Sequence, residues 1–244
     1  MSPPGRPKGE YRRATPEGTP VSSLRLPLCA FALSLLMLGG CATKAPPYDY
    51  SAFMRAKPAS LLVLPPVNDS PEVSATPGVW SQATRPLAEA GYYVLPVTLV
   101  DETLRQNGVT SANDVQEIPL QKLREYFGAD AAVYMKVRKY GTSYAVISSE
   151  TLVEVEARIV DLRSGELLWQ GQARATSAEQ QQQTQGGLVG LLVTALVKQI
   201  VGTATDASYN YAGIASYRML GAPRYNGVPA GPRSPLFGQP PPAQ

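Results

Sequence analysis

Apolar and polar positions change period twice along this chain. Residues 60–64, Ser-Leu-Leu-Val-Leu, form a short apolar run stopped by Pro65-Pro66, which predicts a buried strand. A loop, PPVNDSPEVSATPG, leads to a helix expected from about Val79 to Ala90 and ended by Gly91, with Pro86 as a point of kinking. Tyr92-Tyr-Val-Leu95 predicts the next strand. Thr98 is placed to cap a helix running to Gln106, which Asn107-Gly108 stops. Ser111 and Pro119 open two further short helices, the second ending at Phe127-Gly128.

Beyond Gly128 the period becomes two. Val133, Met135 and Val137 alternate with Tyr134, Lys136 and Arg138, and Val153, Val155, Ala157 and Ile159 alternate with Glu154, Glu156 and Arg158. Leu167, Trp169, Gly171, Ala173 and Ala175 alternate with Leu168, Gln170, Gln172, Arg174 and Thr176. Such alternation puts one face on a core and one in water. Arg163-Ser-Gly-Glu166 reads as a hairpin turn, with Gly165 free to take a positive φ. The fold class expected is α/β, a single domain with one mixed sheet, a βαβ-type first half and an antiparallel meander behind. A long apolar helix, GLVGLLVTALVKQIVG over 187–202, closes it. The polar stripe of that helix is narrow, so it is either buried deep in the core or shared between its own sheet and a partner subunit. Its interface candidates are Leu188, Leu191, Leu192, Leu196 and Ile200.

An earlier apolar run, Leu26 to Leu38, follows Arg25 and ends in Leu38-Gly39-Gly40-Cys41. It has the length of a signal h-region and is short for a permanent span. The ending resembles the lipobox of bacterial lipoprotein signal peptides, in which the chain is cut before a cysteine that then carries lipid. The reading is a tethered protein with Cys41 as the lipidated residue. Ala42 follows it, where an aspartate would, in the enterobacterial pattern, argue for the inner membrane. The expected location is therefore the outer membrane, facing the periplasm or the cell surface. Met1 to Ser23 is long for a leader, and Val21 offers an alternative translation start.

Cleavage simplifies the rest. Cys29 leaves with the leader and Cys41 is consumed by lipid, so no thiol or disulfide remains. The leader holds Arg6, Lys8, Arg12, Arg13 and Arg25 against Glu10 and Glu17, so the chain's formal charge of +3 belongs to it and the mature part is neutral. No basic surface for nucleic acid is expected. The organisation expected is a signal peptide over 1–40, a tether over 41–58, a domain over 59–220 and a Pro/Gly-rich disordered tail over 221–244.

Candidate chemistry is sparse. The sequence has no histidine, which removes the commonest general base and most zinc sites. Glu154 and Glu156 share one strand face and could act as paired carboxylates, or face Lys136, Arg138 and Arg158 as cross-strand ion pairs. Asn68, Asp69 and Glu72 could hold a cation or simply cap turn backbone. Gly186-Gly187 lacks the remaining residues of a phosphate loop. Gln180 to Gln183 with Gln185 reads as an exposed hinge. Tyr209, Tyr211 and Tyr217 are contact-surface or core-edge aromatics. No cofactor and no metal are expected.

Four blocks in order carry a family resemblance: PPVNDSPEVSAT, PLAEAGYYVLPVTLVDETLRQNG, LREYFGADAAVYMKVRKYGTSY and VDLRSGELLWQG. They resemble a proteobacterial lipoprotein family of unknown function, typified by a neisserial vaccine-candidate lipoprotein. The likeness runs from about Tyr48 to Leu220, leaving the tail outside. It implies a fold similar to the N-terminal domain of TolB, with a distant likeness to the curli secretion lipoprotein CsgG, and dimer formation through apolar helical surface. It also implies an accessory role in envelope export or assembly, brings no catalytic residues, and carries over only Cys41. The expectation is a non-enzymatic lipoprotein that self-associates or docks on other envelope lipoproteins. A carboxylate-dependent periplasmic hydrolase and a ligand- or peptidoglycan-binding module stand as alternatives.

Overall fold

A computed structural model describes Gly5 and residues 48–144, 149–179 and 207–242. Cys41, the two-glycine pair at 186–187, the glutamine run from 180 and the apolar helix expected at 187–202, with Leu188, Leu191, Leu192, Leu196 and Ile200, all lie outside the described residues. So do residues 41–47 of the expected tether.

The chain enters through α1 (Ser51–Ala56), then β1 (Ser60–Val63), β2 (Val67–Asn68) and α2 (Ala75–Glu89). β3 (Tyr93–Val94) leads into α3 (Val97–Gln106), α4 (Ala112–Gln116) and α5 (Leu120–Phe127). The meander is β4 (Ala131–Tyr144), β5 (Ser149–Asp161) and β6 (Leu167–Thr176). A last helix, α6, spans Ala207–Leu220. The six strands make one mixed sheet in the order β3-β1-β4-β5-β6, with β2 beside β4. β1 runs parallel to β3 and β4, whereas β4, β5 and β6 are antiparallel neighbours. This is the α/β arrangement that the two periods predict.

Local signals act largely as read. The Ser111 hydroxyl accepts the Asn113 N–H at the start of α4, and Gly128 ends α5 in the left-handed region at φ 65°. Gly165 turns the β5–β6 hairpin at φ 76°. Two helices start earlier than expected. α2 begins at Ala75 and keeps Pro86 inside it, and α3 begins at Val97, so Thr98 lies within the helix and Pro96 precedes it.

Strand register decides the layers. Val133 faces Ile159, Met135 faces Ala157 and Val137 faces Val155, all fully buried or nearly so. Trp169 stands opposite Ile159 and is 1% exposed. The α2 and α6 helices pack against each other and on this part of the sheet. At Gly78 a β-carbon would lie 2.7 Å from the Tyr140 hydroxyl, so the bare glycine lets α2 close on β4. Leu167 departs from its expected inward place and is 43% exposed. The register shifts between Ile159 and Val160, so Leu167 pairs with Val160 instead of continuing the Trp169 row.

Two expected boundaries are corrected. The segment read as tether is folded from Tyr48 onward: Phe53 on α1 is 3% exposed, and Tyr48 and Tyr50 pack against the core. The tail read as disordered is also bound to the domain over the described part of it. Val228 is fully buried, Gly231 donates its N–H to Ala90 O at 2.8 Å, and Arg233 donates to Gly91 O at 3.0 Å. The Tyr92 hydroxyl donates to Pro229 O at 2.6 Å, and the indole N–H of Trp169 to Asn226 O at 3.0 Å. The segment docks through backbone groups and small residues, which leave no apolar period to read.

α6 was likewise not expected. Its buried positions, Ser208, Ala212, Ala215, Ser216, Met219 and Leu220, do follow helical spacing, but four of them are small. Small residues let a helix approach closely while giving little hydrophobic signal.

Candidate functional site

The second face of the meander is the one that stays open among the described residues. Its rows follow from the register: Tyr134, Arg158 and Gln170 in one, Lys136, Glu156 and Gln172 in the next, Lys139, Glu154 and Arg174 beyond. A groove of about 570 Å³ lies over these rows, lined by Tyr48, Gln116 and the first two of them. Gln116 closes one side by donating its amide to Met135 O at 2.8 Å and Pro65 O at 3.2 Å. Tyr48 closes another: its hydroxyl accepts the Gln170 N–H at 3.1 Å and its own N–H donates to Asn226 Oδ1 at 3.0 Å.

Charge in the groove is organised by β2. The Asp69 carboxylate meets Lys136 Nζ at 3.1 Å and the Arg138 guanidinium at 2.8 Å, and Arg138 reaches Glu156 at 2.8 Å. The Lys136 hydrogen bond is the chief cause that holds the Asp69 carboxyl below its ordinary range, and Arg138 adds to it. Two cations and two carboxylates thus close a neutral network. Arg138 can serve both partners because it sits in the bulge between Val137 and Lys139, where the β4 register slips by one residue.

Arg158 behaves differently. Its guanidinium lies 4.8 Å from the centroid of the Tyr134 ring, and no described carboxylate lies within ion-pair distance of it. Tyr134 is 5% exposed although its row is polar, and burial pushes its phenol pKa up against the opposing pull of Arg158. An aromatic face under a planar cation fixes its orientation and leaves its N–H edges free.

The sequence candidates fall as follows. Glu156 is tied to Arg138, and Glu154 stands in register between Lys139 and Arg174. The expected cross-strand pairing is therefore seen for Arg138 with Glu156, but Lys136 pairs with Asp69 and Arg158 stacks on Tyr134. Asn68 closes a turn, its Oδ1 accepting from Ser70 N–H at 2.8 Å and its amide donating to Glu72 O at 2.8 Å. Tyr211 packs on the core edge. Tyr209 and Tyr217 are 38% and 43% exposed, and the Tyr217 hydroxyl donates to Glu89 on α2. No described helix is long and apolar enough to cross a membrane. Sequence reading missed Tyr48, Gln116, Gln170 and Gln172 as groove residues. No motif joins them, and only the register and the return of the N-terminal segment bring them together.

Comparison with known proteins gives a consistent family. A model described as "Putative lipoprotein GNA1162-like" matches residues 48–233, so the family region includes α6 and reaches into the tail beyond the Leu220 limit expected from sequence. A lipoprotein of Neisseria meningitidis serogroup B, NMB1124/NMB1162, is 44% identical over 208 residues, covering 85% of this chain and 96% of that protein. The crystal structure of lipoprotein GNA1162 from Neisseria meningitidis is 45% identical, covering 60% of this chain and 100% of that one at a TM-score of 0.48. The PelC dodecamer from Paraburkholderia phytofirmans aligns at 11% identity over 72% of this chain and 91% of that one, with a TM-score of 0.40. The chain belongs to the GNA1162-like lipoprotein family.

Proposed function

We propose that this protein is anchored by lipid on Cys41 to the outer membrane and serves there, without catalysis of its own, as an accessory part of an envelope export or assembly system. The observation that carries the reading is the Leu38-Gly39-Gly40-Cys41 box standing just ahead of the lipoprotein-family match, which starts at Tyr48. The charged groups of the open face favour a binding role over a catalytic one. Asp69, Lys136, Arg138 and Glu156 neutralise one another at the surface, whereas an acid–base pair needs carboxyls with separated proton affinities at a cleft. Self-association through Leu188, Leu191, Leu192, Leu196 and Ile200, or docking to other envelope lipoproteins, is the partner reading.

Palmitate labelling of wild type and Cys41→Ala tests the anchor: label and outer-membrane fractionation are expected in the first and lost in the second. In-cell crosslinking of the anchored chain tests the partner. Leu192→Asp with Leu196→Asp should abolish the crosslinked species while the melting temperature holds, and crosslinks unchanged in that folded variant would refute self-association. Loss of function on replacing Glu154 and Glu156, with folding and crosslinks intact, would favour the hydrolase alternative.

A further inference from the structure

Few residues separate the anchor position from the groove. Seventeen residues of tether, 42–58, would let the domain roam about 60 Å from its lipid, at the roughly 3.4 Å that an extended residue spans. Tyr48 is already part of the folded domain and six residues separate it from Cys41, so the reach is at most about 24 Å. Tyr48 is itself a wall of the groove, held at its hydroxyl by Gln170 and at its N–H by Asn226. Once Cys41 is lipidated, the Tyr48 wall of the groove stays within that reach of the headgroups.

The groove's charge then selects a ligand. The Asp69, Lys136, Arg138 and Glu156 network is closed, and Arg158 is the cation left over among the described lining residues. One surplus charge, presented as a flat fork over Tyr134, suits a single phosphate or carboxylate and not a polyanion. Gln170 and Gln172 flank it with amide donors and acceptors for a hydroxylated neighbour. A volume of about 570 Å³ lies within the range of about 300–1,000 Å³ common for small-ligand sites. We infer that the groove seats the phosphate of an anionic phospholipid headgroup from the leaflet that holds the anchor, with Arg158 as its chief contact. This rests on lipidation at Cys41. Tethering makes even a weak phosphate contact effective, because the second binding step is intramolecular.

The test uses the full mature lipidated chain in nanodiscs of phosphatidylcholine with or without phosphatidylglycerol. Glu117→Cys, at an exposed position next to Gln116 on the rim, supplies a thiol for an environment-sensitive fluorophore, since Cys29 leaves with the leader and Cys41 is acylated. A blue shift and quenching by headgroup-labelled lipid are expected in phosphatidylglycerol discs. Both should fall at least several-fold when Arg158→Gln is added, and both should be weak in phosphatidylcholine alone. Equal signals with Arg158→Gln, or in neutral discs, would overturn the inference. So would saturation of the response by free glycerol phosphate at concentrations that match the lipid, which would mark a receptor for soluble anions. Intact mass of the same preparations separates the two readings. An unacylated Cys41 removes the anchor and this inference with it, whereas an acylated chain with an indifferent label refutes this inference alone.

Discussion

Gly91 and Gly231 meet backbone to backbone: a β-carbon on Gly231 would lie 2.6 Å from the Gly91 carbonyl carbon and 2.8 Å from the Tyr92 nitrogen. The contact fixes the tail against the turn between α2 and β3, where Gly91 itself holds φ 98°. No side chain fits between two main chains this close, so the Pro/Gly composition of the tail is a condition of its docking.

Gly231→Ala should therefore lower stability by about 1–3 kcal/mol, the usual range for overpacking a closed site. Urea denaturation of the mature domain measures it. Full retention of the wild-type midpoint would show that the tail shifts freely on its seat.

Ending the chain after Leu220 should cost more. It removes the buried Val228 and leaves the Tyr92 hydroxyl and Trp169 indole N–H without the Pro229 and Asn226 carbonyls. Each lost hydrogen bond costs about 0.5–1.5 kcal/mol and the apolar surface under Val228 is bared as well, so the melting temperature should drop by many degrees. An unchanged melt would contradict a structural tail.

Phe53→Ala tests whether α1 is domain or tether. Phe53 is 3% exposed, and truncating a buried Phe costs about 3–5 kcal/mol. If residues 48–58 were only a linker, thermal unfolding would not register the change.

Asp130 predicts a pH dependence. Burial raises its proton affinity, but hydrogen bonds from Ala59 N–H and from the Ser60 hydroxyl and N–H outweigh this and hold its folded pKa below the ordinary 3.8. A depressed folded pKa stabilises the fold above the unfolded value, and that contribution is lost as pH falls through the folded one. Asp130→Asn should therefore lower the urea midpoint at pH 7 and approach wild type near pH 2. A constant gap between the two proteins across that range would exclude the carboxylate charge as the cause.

The ion network on the open face should matter little to folding. Arg138 and Glu156 are 40% and 38% exposed at their side chains, where solvent screens the pair. Glu156→Gln is expected to leave the melting temperature unchanged within error at moderate salt, and a drop of several degrees would reveal a buried-like pair.

The meander was legible because its period is local. Val153, Val155, Ala157 and Ile159 occupy one face whatever their partners, and Ser111, Gly128 and Gly165 do their work within one or two peptide units. α6 was not legible, because Ala212, Ala215 and Ser216 keep helical spacing in residues too small to mark it. The groove was only half legible. Strand alternation placed Lys136, Glu156 and Arg158 on one wet face, yet their pairing depended on a bulge at Arg138 and on Asp69, which β2 brings beside β4.

The sequence by itself determined the mixed sheet and the polarity of its faces, and it supplies the Leu38-Gly39-Gly40-Cys41 box on which the proposed anchor rests. Those follow from composition, periodicity and contiguous motifs. Tertiary structure alone decided that residues from Tyr48 and from the Pro/Gly-rich tail join the domain, which cation of the described groove lining stays unpaired, and that Tyr48 and Gln116 border one groove. These are contacts between positions far apart in the chain, where backbone carbonyls, glycines and register slips carry the interaction and no side-chain pattern announces it.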